Sequence, residues 1–133
     1  MPIIYLSAAD ILAVHDRIIE ETGGSVGVRD PGLLESIVHR SRASFGGVEQ
    51  FPDVFAKAAA YLEAIATYHV FVDGNKRTAL AAAAVFLSLN GFQTNFPIAE
   101  SEEFILAAAQ RHLALSDIAS WLKKRSRRRS RRR

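Results

Sequence analysis

Apolar residues recur at helical spacing along most of the chain, and the stretches that carry them are bounded by residues that start or stop helices. In "AADILAVHDRIIEET", residues 8–22, Ile11, Leu12, His15, Ile18 and Ile19 share one face, so the spacing predicts an amphipathic helix. Ser7 followed by Asp10 has the form of a capping box in front of it, and Gly23 and Gly24 close it. "RDPGLLESIVHRSRAS" puts Asp30 at a cap position and Pro31 at the first helical position. Leu33, Leu34, Ile37 and Val38 form its buried stripe, with Gly46 and Gly47 as the stop. After Pro52, "DVFAKAAAYLEAIATYHV" carries Val54, Phe55, Ala58, Leu62, Ile65 and Ala66 at the same period and runs up to His69.

"RTALAAAAVFLSLNG" is apolar nearly all round, which marks the buried centre of a helical domain, and Asn90-Gly91 ends it. "FQTNF" reads as a short extended connector. Ser101 opens "EEFILAAAQRHLA" as a fifth helix with Glu102 and Glu103 in its first turn, and Ser116 opens "DIASWLKK" as a sixth. "PIIYL" near the start is too short to assign, and no repeat of solenoid period is present. The expected fold class is all-α: a compact single-domain bundle of about six helices around a central apolar helix.

Length and composition narrow this without changing it. At 133 residues and 49% hydrophobic content the chain can bury one core and is too short for two ordinary domains. The absence of cysteine excludes a disulfide framework and a thiolate metal site. No run of about 18 uncharged apolar residues occurs, and "MPIIYLSAAD" lacks the charged start of a signal peptide. The expectation is a soluble protein of the reducing cytoplasm with no membrane segment.

Charge changes the picture more. The net +3 conceals a division, because "KKRSRRRSRRR" at the end holds nine of the seventeen basic residues and no acid. The remaining chain has eight basic against fourteen acidic residues, a net of −6. With dense like charge and no apolar residue, 123–133 is expected to be a disordered basic tail appended to a domain spanning 1–122. Such a tail is ordinarily just solvated, but it can neutralise phosphates of RNA or DNA in a salt-dependent way.

One segment breaks the helical pattern. "HVFVDGNKRTA", residues 69–79, sets a histidine, an aspartate, a Gly-Asn pair and two cations between the third helix and the central one. Asp73, Gly74 and Asn75 are poor interior helix residues, so a loop is expected there. A new helix begins near Lys76 or Arg77, and its first N–H groups, lacking internal partners, form an anion site at the positive end of the helix dipole. Gly74 permits close backbone approach or a left-handed turn, and Asn75 tolerates one. Lys76 supplies a point charge and Arg77 a bidentate grip on two oxygens. Asp73 can help hold Mg²⁺ beside a polyphosphate. His69 can take a hydroxyl proton near neutrality. Together they suit phosphoryl or nucleotidyl transfer to a hydroxyl. Taken singly, each has a plainer explanation: a structural histidine, a turn, a solvated helix start.

The joint pattern "HVFVDGNKRTALAAAAVFLSLNG" resembles the motif region of the Fic/Doc superfamily, in its Doc, or death-on-curing, toxin branch. Against the generic Fic pattern, Val70 stands where proline is common, Lys76 replaces a glycine and Leu80 replaces an arginine. The last two departures point to Doc. "VRDPGLLESIVHR" and "FPDVFAKAAAYLEAIATYHVF" are similar to the family's preceding helices, so the resemblance spans most of residues 4–122.

The resemblance implies a toxin neutralised by a small Phd-like antitoxin, and a kinase that moves the γ-phosphate of ATP, with Mg²⁺, to a threonine of elongation factor Tu. Under it His69 is the general base and Asp73 a catalytic or Mg²⁺-associated acid. Gly74, Asn75, Lys76 and Arg77 form the phosphate loop, with Arg77 also catalytic. Some Doc-type toxins have an asparagine where this chain has Ala81, which leaves one polar contact without a counterpart. Two other readings stay open: a Fic-type AMP transferase acting on a protein hydroxyl, which Lys76 argues against, and a non-enzymatic binder of nucleic acid or ribosomes acting through the tail.

Overall fold

Helix-capping chemistry sets most of the chain's boundaries in the computed structural model, which describes residues 2–130. Helix α1 (Ala8–Thr22) starts on the reciprocal Ser7–Asp10 box and ends at Gly23. Helix α2 (Pro31–Arg40) starts on Asp30, whose carboxylate accepts from the Leu33 N–H. Helix α3 (Val54–Tyr68) starts on Asp53, which caps Ala56 in the same manner, and α4 is Asn75–Leu89. The last two helices are α5 (Ile98–Ala109) and α6 (Leu115–Lys124). The expected class, all-α with six helices, is what the structure shows; the only sheets among the described residues are two small antiparallel pairs.

The centre of the bundle is α3. From Lys57 to Thr67 every residue except Glu63 is buried, and the helix packs against α2, α4, α5 and α6. The expectation had given that place to α4, but Val85 and Leu89 of α4 reach solvent, whereas the alanines of α3 admit neighbours on all sides. Glu63 answers Arg40 of α2 at 2.8 Å. Phe86 of α4 lies 5.1 Å from the Tyr61 ring of α3, an aromatic contact at the heart of the core. Tyr61 accepts the Leu6 N–H at 3.0 Å, and Asn90 takes both the N–H and C=O of Ile4 at 2.9 Å. These bonds fix the extended "PIIYL" segment. No helix among the described residues is long and apolar enough to cross a membrane.

Four local expectations are corrected. Gly46 and Gly47 do not stop α2, which ends at Arg40; they form the turn of a hairpin between β1 (Ser44–Phe45) and β2 (Val48–Glu49). Helix α5 begins at Ile98, ahead of Ser101, which is buried within it. Helix α6 begins at Leu115, where the Asp117 carboxylate reaches back to the Ala114 N–H at 3.1 Å.

The fourth concerns the tail. Lys123 and Lys124 complete α6, and β4 (Ser126–Arg128) pairs antiparallel with β3 (Phe92–Thr94), so residues 123–130 are part of the fold and not a free tail. Backbone bonds from Asn95 to Arg125 and from Arg129 to Gly91, each 2.8 Å, extend the pairing at both ends. Main-chain hydrogen bonds need no apolar side chains, which is how a Ser/Arg sequence joins a sheet. Residues 131–133 of the expected disordered segment lie outside the described residues.

Candidate active site

Helix α3 gives out at Tyr68, and His69 takes the left-handed conformation, φ 52° and ψ 49°, which turns the chain sharply away. Arginine 29 holds that turn: its Nη2 donates to the Tyr68 carbonyl at 3.0 Å and its Nε to the His69 carbonyl. The next residues run against segment 27–30. Val70 accepts from the Arg29 and Asp30 N–H groups at 2.7 and 3.1 Å, Phe71 pairs with Val28, and the Val72 N–H reaches the Gly27 carbonyl at 3.1 Å. The His69 side chain is thereby left exposed beside a pinned backbone.

Phe71 is buried and stacks on the ring of His15 from α1, centroids 3.9 Å apart. His15 Nε2 donates to the Asp73 carbonyl at 2.7 Å. A carbonyl can only accept, so the proton sits on Nε2. The Asp73 carboxylate is fixed in turn: Oδ2 accepts the Ser25 N–H at 3.2 Å and Oδ1 the Gly74 N–H at 2.8 Å. The Ser25 bond, then the Gly74 bond, hold its pKa below the ordinary carboxylate value. A carboxylate so placed stays ionised and, being partly exposed, keeps lone pairs free for a cation.

Gly74 caps α4 in the left-handed conformation, φ 75°, and no side chain caps the helix. A β-carbon there would lie 3.0 Å from Ile19 Cδ1, so both conformation and space call for glycine. The first intrahelical bond runs from Thr78 N–H to the Gly74 carbonyl, and the N–H groups of residues 75–77 have no acceptor within the helix. Lys76 and Arg77 project into solvent at this end, with Arg77 Nη1 on the Thr22 hydroxyl. Beside them, between α4 and α5, opens an apolar groove of about 440 Å³ whose walls include Leu80, Phe96, Ile98, Ile105 and Leu106.

All six expected site residues thus sit on one stretch from His69 to Arg77. Asn75 plays a part that the sequence reading did not give it. Its Oδ1 accepts the Phe71 N–H and its Nδ2 donates to the Phe71 carbonyl, both at 3.0 Å, so the side chain braces the loop and only its backbone N–H faces the anion site. The supporting shell of His15, Gly24, Ser25 and Arg29 was also missed, although a histidine on an apolar helix face was one visible sign. Among the described residues no cluster of three or more His, Cys, Asp or Glu could hold a metal by itself. A cation here would need Asp73 together with oxygens of a substrate.

A helical domain in which a glycine-opened helix N-terminus adjoins a fixed carboxylate and two cations has the chemistry to receive a phosphate group, and the chain belongs to the Fic/DOC family, whose profile matches residues 5–87. Two curated relatives align along nearly its whole length. The Toxin Doc of Mycolicibacterium smegmatis is 41% identical over 120 residues, covering 89% of this chain and 90% of its own. The Protein kinase doc of Escherichia phage P1 is 38% identical over 120 residues, covering 90% and 94%.

Proposed function

We propose that this chain is a Doc-type toxin and a protein kinase that transfers the γ-phosphate of ATP to a hydroxyl of a protein substrate. One observation carries the reading: an uncapped helix N-terminus stands between a fixed Asp73 and the exposed Lys76 and Arg77. It does so in a chain 38% identical to a relative named a protein kinase and 41% identical to one named a toxin.

The chemistry needs positioning and charge neutralisation more than covalent help. The N–H groups of residues 75–77 take phosphate oxygens in place of the missing helical acceptors. Arg77 leaves Thr22 to grip the transferred group, and Lys76 neutralises charge beside it. His69 takes the proton of the attacking hydroxyl as that oxygen bonds to the γ-phosphorus; the bond to the bridging oxygen breaks and ADP departs. Asp73 would hold Mg²⁺ together with substrate oxygens, and the ion would supply further charge neutralisation there. Arg29, His15 and Asn75 keep the loop in register through their hydrogen bonds.

The favoured substrate is a threonine of elongation factor Tu, with translation arrest in the cytoplasm as the consequence. A small Phd-like antitoxin would restrain the enzyme by folding a disordered segment as a helix into the apolar groove beside Lys76 and Arg77. The second reading, AMP transfer, is disfavoured by Lys76, whose side chain would occupy space that a glycine would leave for the α- and β-phosphates. One experiment separates the two: purified protein, Mg²⁺ and elongation factor Tu with ATP labelled on either the γ- or the α-phosphate, and His69→Ala as control. Label from γ alone, lost in the control, is expected. Label from α makes the protein an AMP transferase, and no label from either position overturns this substrate.

A further inference from the structure

The basic end of the chain is built into the fold at a place where the loop of residues 69–77 has no use for it. Strand alternation gives β4 two faces. Arg128 lies on the inner one, its guanidinium 5.0 Å from the centre of Phe92, which itself packs against Phe55. Arg127, opposite Gln93, lies on the outer face, while Arg129 just beyond the strand is tied to the Ser88 hydroxyl at 2.8 Å. The end of α6 and the outer face of β4 thereby bring Lys124, Arg125 and Arg127 to one side of the molecule.

These three border a polar groove of about 720 Å³ whose other side holds Gln93, Thr94 and Asn95, with Glu100 beside Arg125. Arg125 is anchored by Glu100 at 3.0 Å and by the Trp121 ring at 4.1 Å, which makes it a fixed post. Arg127, Lys123 and Lys124 form no ion pair among the described residues. The run continues in sequence through Arg131, Arg132 and Arg133, while the rest of the chain carries −6. The density of positive charge on this ridge therefore sets it apart from an otherwise acidic chain and draws a polyanion to it.

We infer that β4 and the groove beside it form a binding surface for the phosphate backbone of nucleic acid, separate from the phosphate-transfer site. Guanidinium forks match phosphate oxygens. The ridge offers no exposed aromatic ring for stacking, because Phe92 is covered by Arg128, so recognition is of backbone and not of bases.

The test is fluorescence anisotropy of the full chain with a labelled duplex of arbitrary sequence, as DNA and as RNA, between 50 and 300 mM salt. About four to six phosphate contacts should give a slope of log K against log salt near −4 to −5 for the duplex. Lys124→Gln with Arg127→Gln should reduce the slope by about two and weaken binding roughly ten-fold or more at 100 mM salt. Neither side chain holds a bond that the fold needs, and an unchanged melting curve and unchanged phosphate transfer confirm that the double variant is intact. His69→Ala should bind nucleic acid as the unaltered chain does. No salt-dependent binding at 50 mM overturns the inference, as does binding that ignores the double variant. Poly-glutamate of equal charge binding as tightly as the duplex overturns it in favour of an acidic protein partner.

Discussion

Replacing Gly24 by alanine tests whether Asp73 must stay where its two N–H donors hold it. Gly24 lies 49 positions before Asp73, yet a β-carbon at 24 would stand 2.5 Å from Asp73 Oδ2 and 3.1 Å from Ile19 Cδ1. Ordinary contact begins near 3.4 Å, so the carboxylate must retreat by about 0.9 Å, enough to break its 3.2 Å bond with Ser25. Because Oδ1 is tied to the Gly74 N–H, the start of α4 moves with it. A displacement near 1 Å in a site that works by positioning costs about 100-fold in rate.

The substitution also imposes backbone strain, since φ at Gly24 is +119°. For an L-residue at positive φ that is about 1–2 kcal/mol. Gly23→Ala isolates the strain: φ there is +84° and nothing lies within 4 Å of the new carbon. Both variants should lose stability in urea, Gly24→Ala more because it also loses the bond between Ser25 and Asp73. Only Gly24→Ala should lose about 100-fold in kcat for γ-label transfer. A readout independent of any substrate is the Asp73 carboxyl titration followed by NMR, which should rise toward the ordinary carboxylate range in Gly24→Ala and stay low in Gly23→Ala. If the two variants behave alike in both measurements, Asp73 is not held by this contact and its placement does not limit the reaction.

Three further outcomes are expected. Asn75→Ala removes both bonds to Phe71 and should destabilise by about 1–3 kcal/mol while lowering kcat more than it raises KM; a change in KM alone would make Asn75 a ligand and not a brace. Asp73 has a folded pKa below its unfolded value, so its stabilisation is complete above about pH 3.9 and fades as pH falls through the folded value. The stability difference between the unaltered chain and Asp73→Asn, followed by urea unfolding, should close in strong acid, and a difference undiminished at pH 2 contradicts the assignment. Burial works against the Lys57 charge, but hydrogen bonds to Glu49 and Tyr5 outweigh it and raise the pKa above the unfolded value of 10.5. That stabilisation is present below pH 10.5 and lost as pH rises through the folded value, so the unaltered chain should lose stability in alkali faster than Lys57→Met. At neutral pH Lys57→Met should lie within about 1 kcal/mol of the unaltered chain, whereas Glu49→Ala strands a buried ammonium and should cost about 2–3 kcal/mol.

How far the sequence discloses this molecule depends on whether a feature is made by neighbours in the chain. Ser7 with Asp10, Asp30 with Pro31, and Asn90 with Gly91 act on residues a few positions away, and the helix boundaries that they predict are present. Ser101 misled for the same local reason: it is a good cap, but Phe104, Ile105 and Ala108 draw it into the core, while exposed Ile98 gives the first turn no apolar stripe to announce it. Strand β4 could not be read at all, since serine and arginine have no strand signature and the pairing is supplied by β3, more than thirty residues earlier.

The site divides along the same line. The groups proposed to react are consecutive because a helix terminus and its loop are one local structure, so His69 to Arg77 stand out in the sequence as a unit. What makes them a site is the rigidity lent by His15, Gly24, Ser25 and Arg29, each 40 or more positions away from the group it steadies. A carboxylate that must be ionised and immobile needs donors that do not move with its own loop. Ser25 can serve because α1 ends just before it and segment 27–30 is pinned to Val70 and Val72 just after. The motif therefore carries the proposed chemistry, and the 24–30 segment holds the residues of that motif in place; substitutions there should disable the protein while leaving every residue of the motif unchanged.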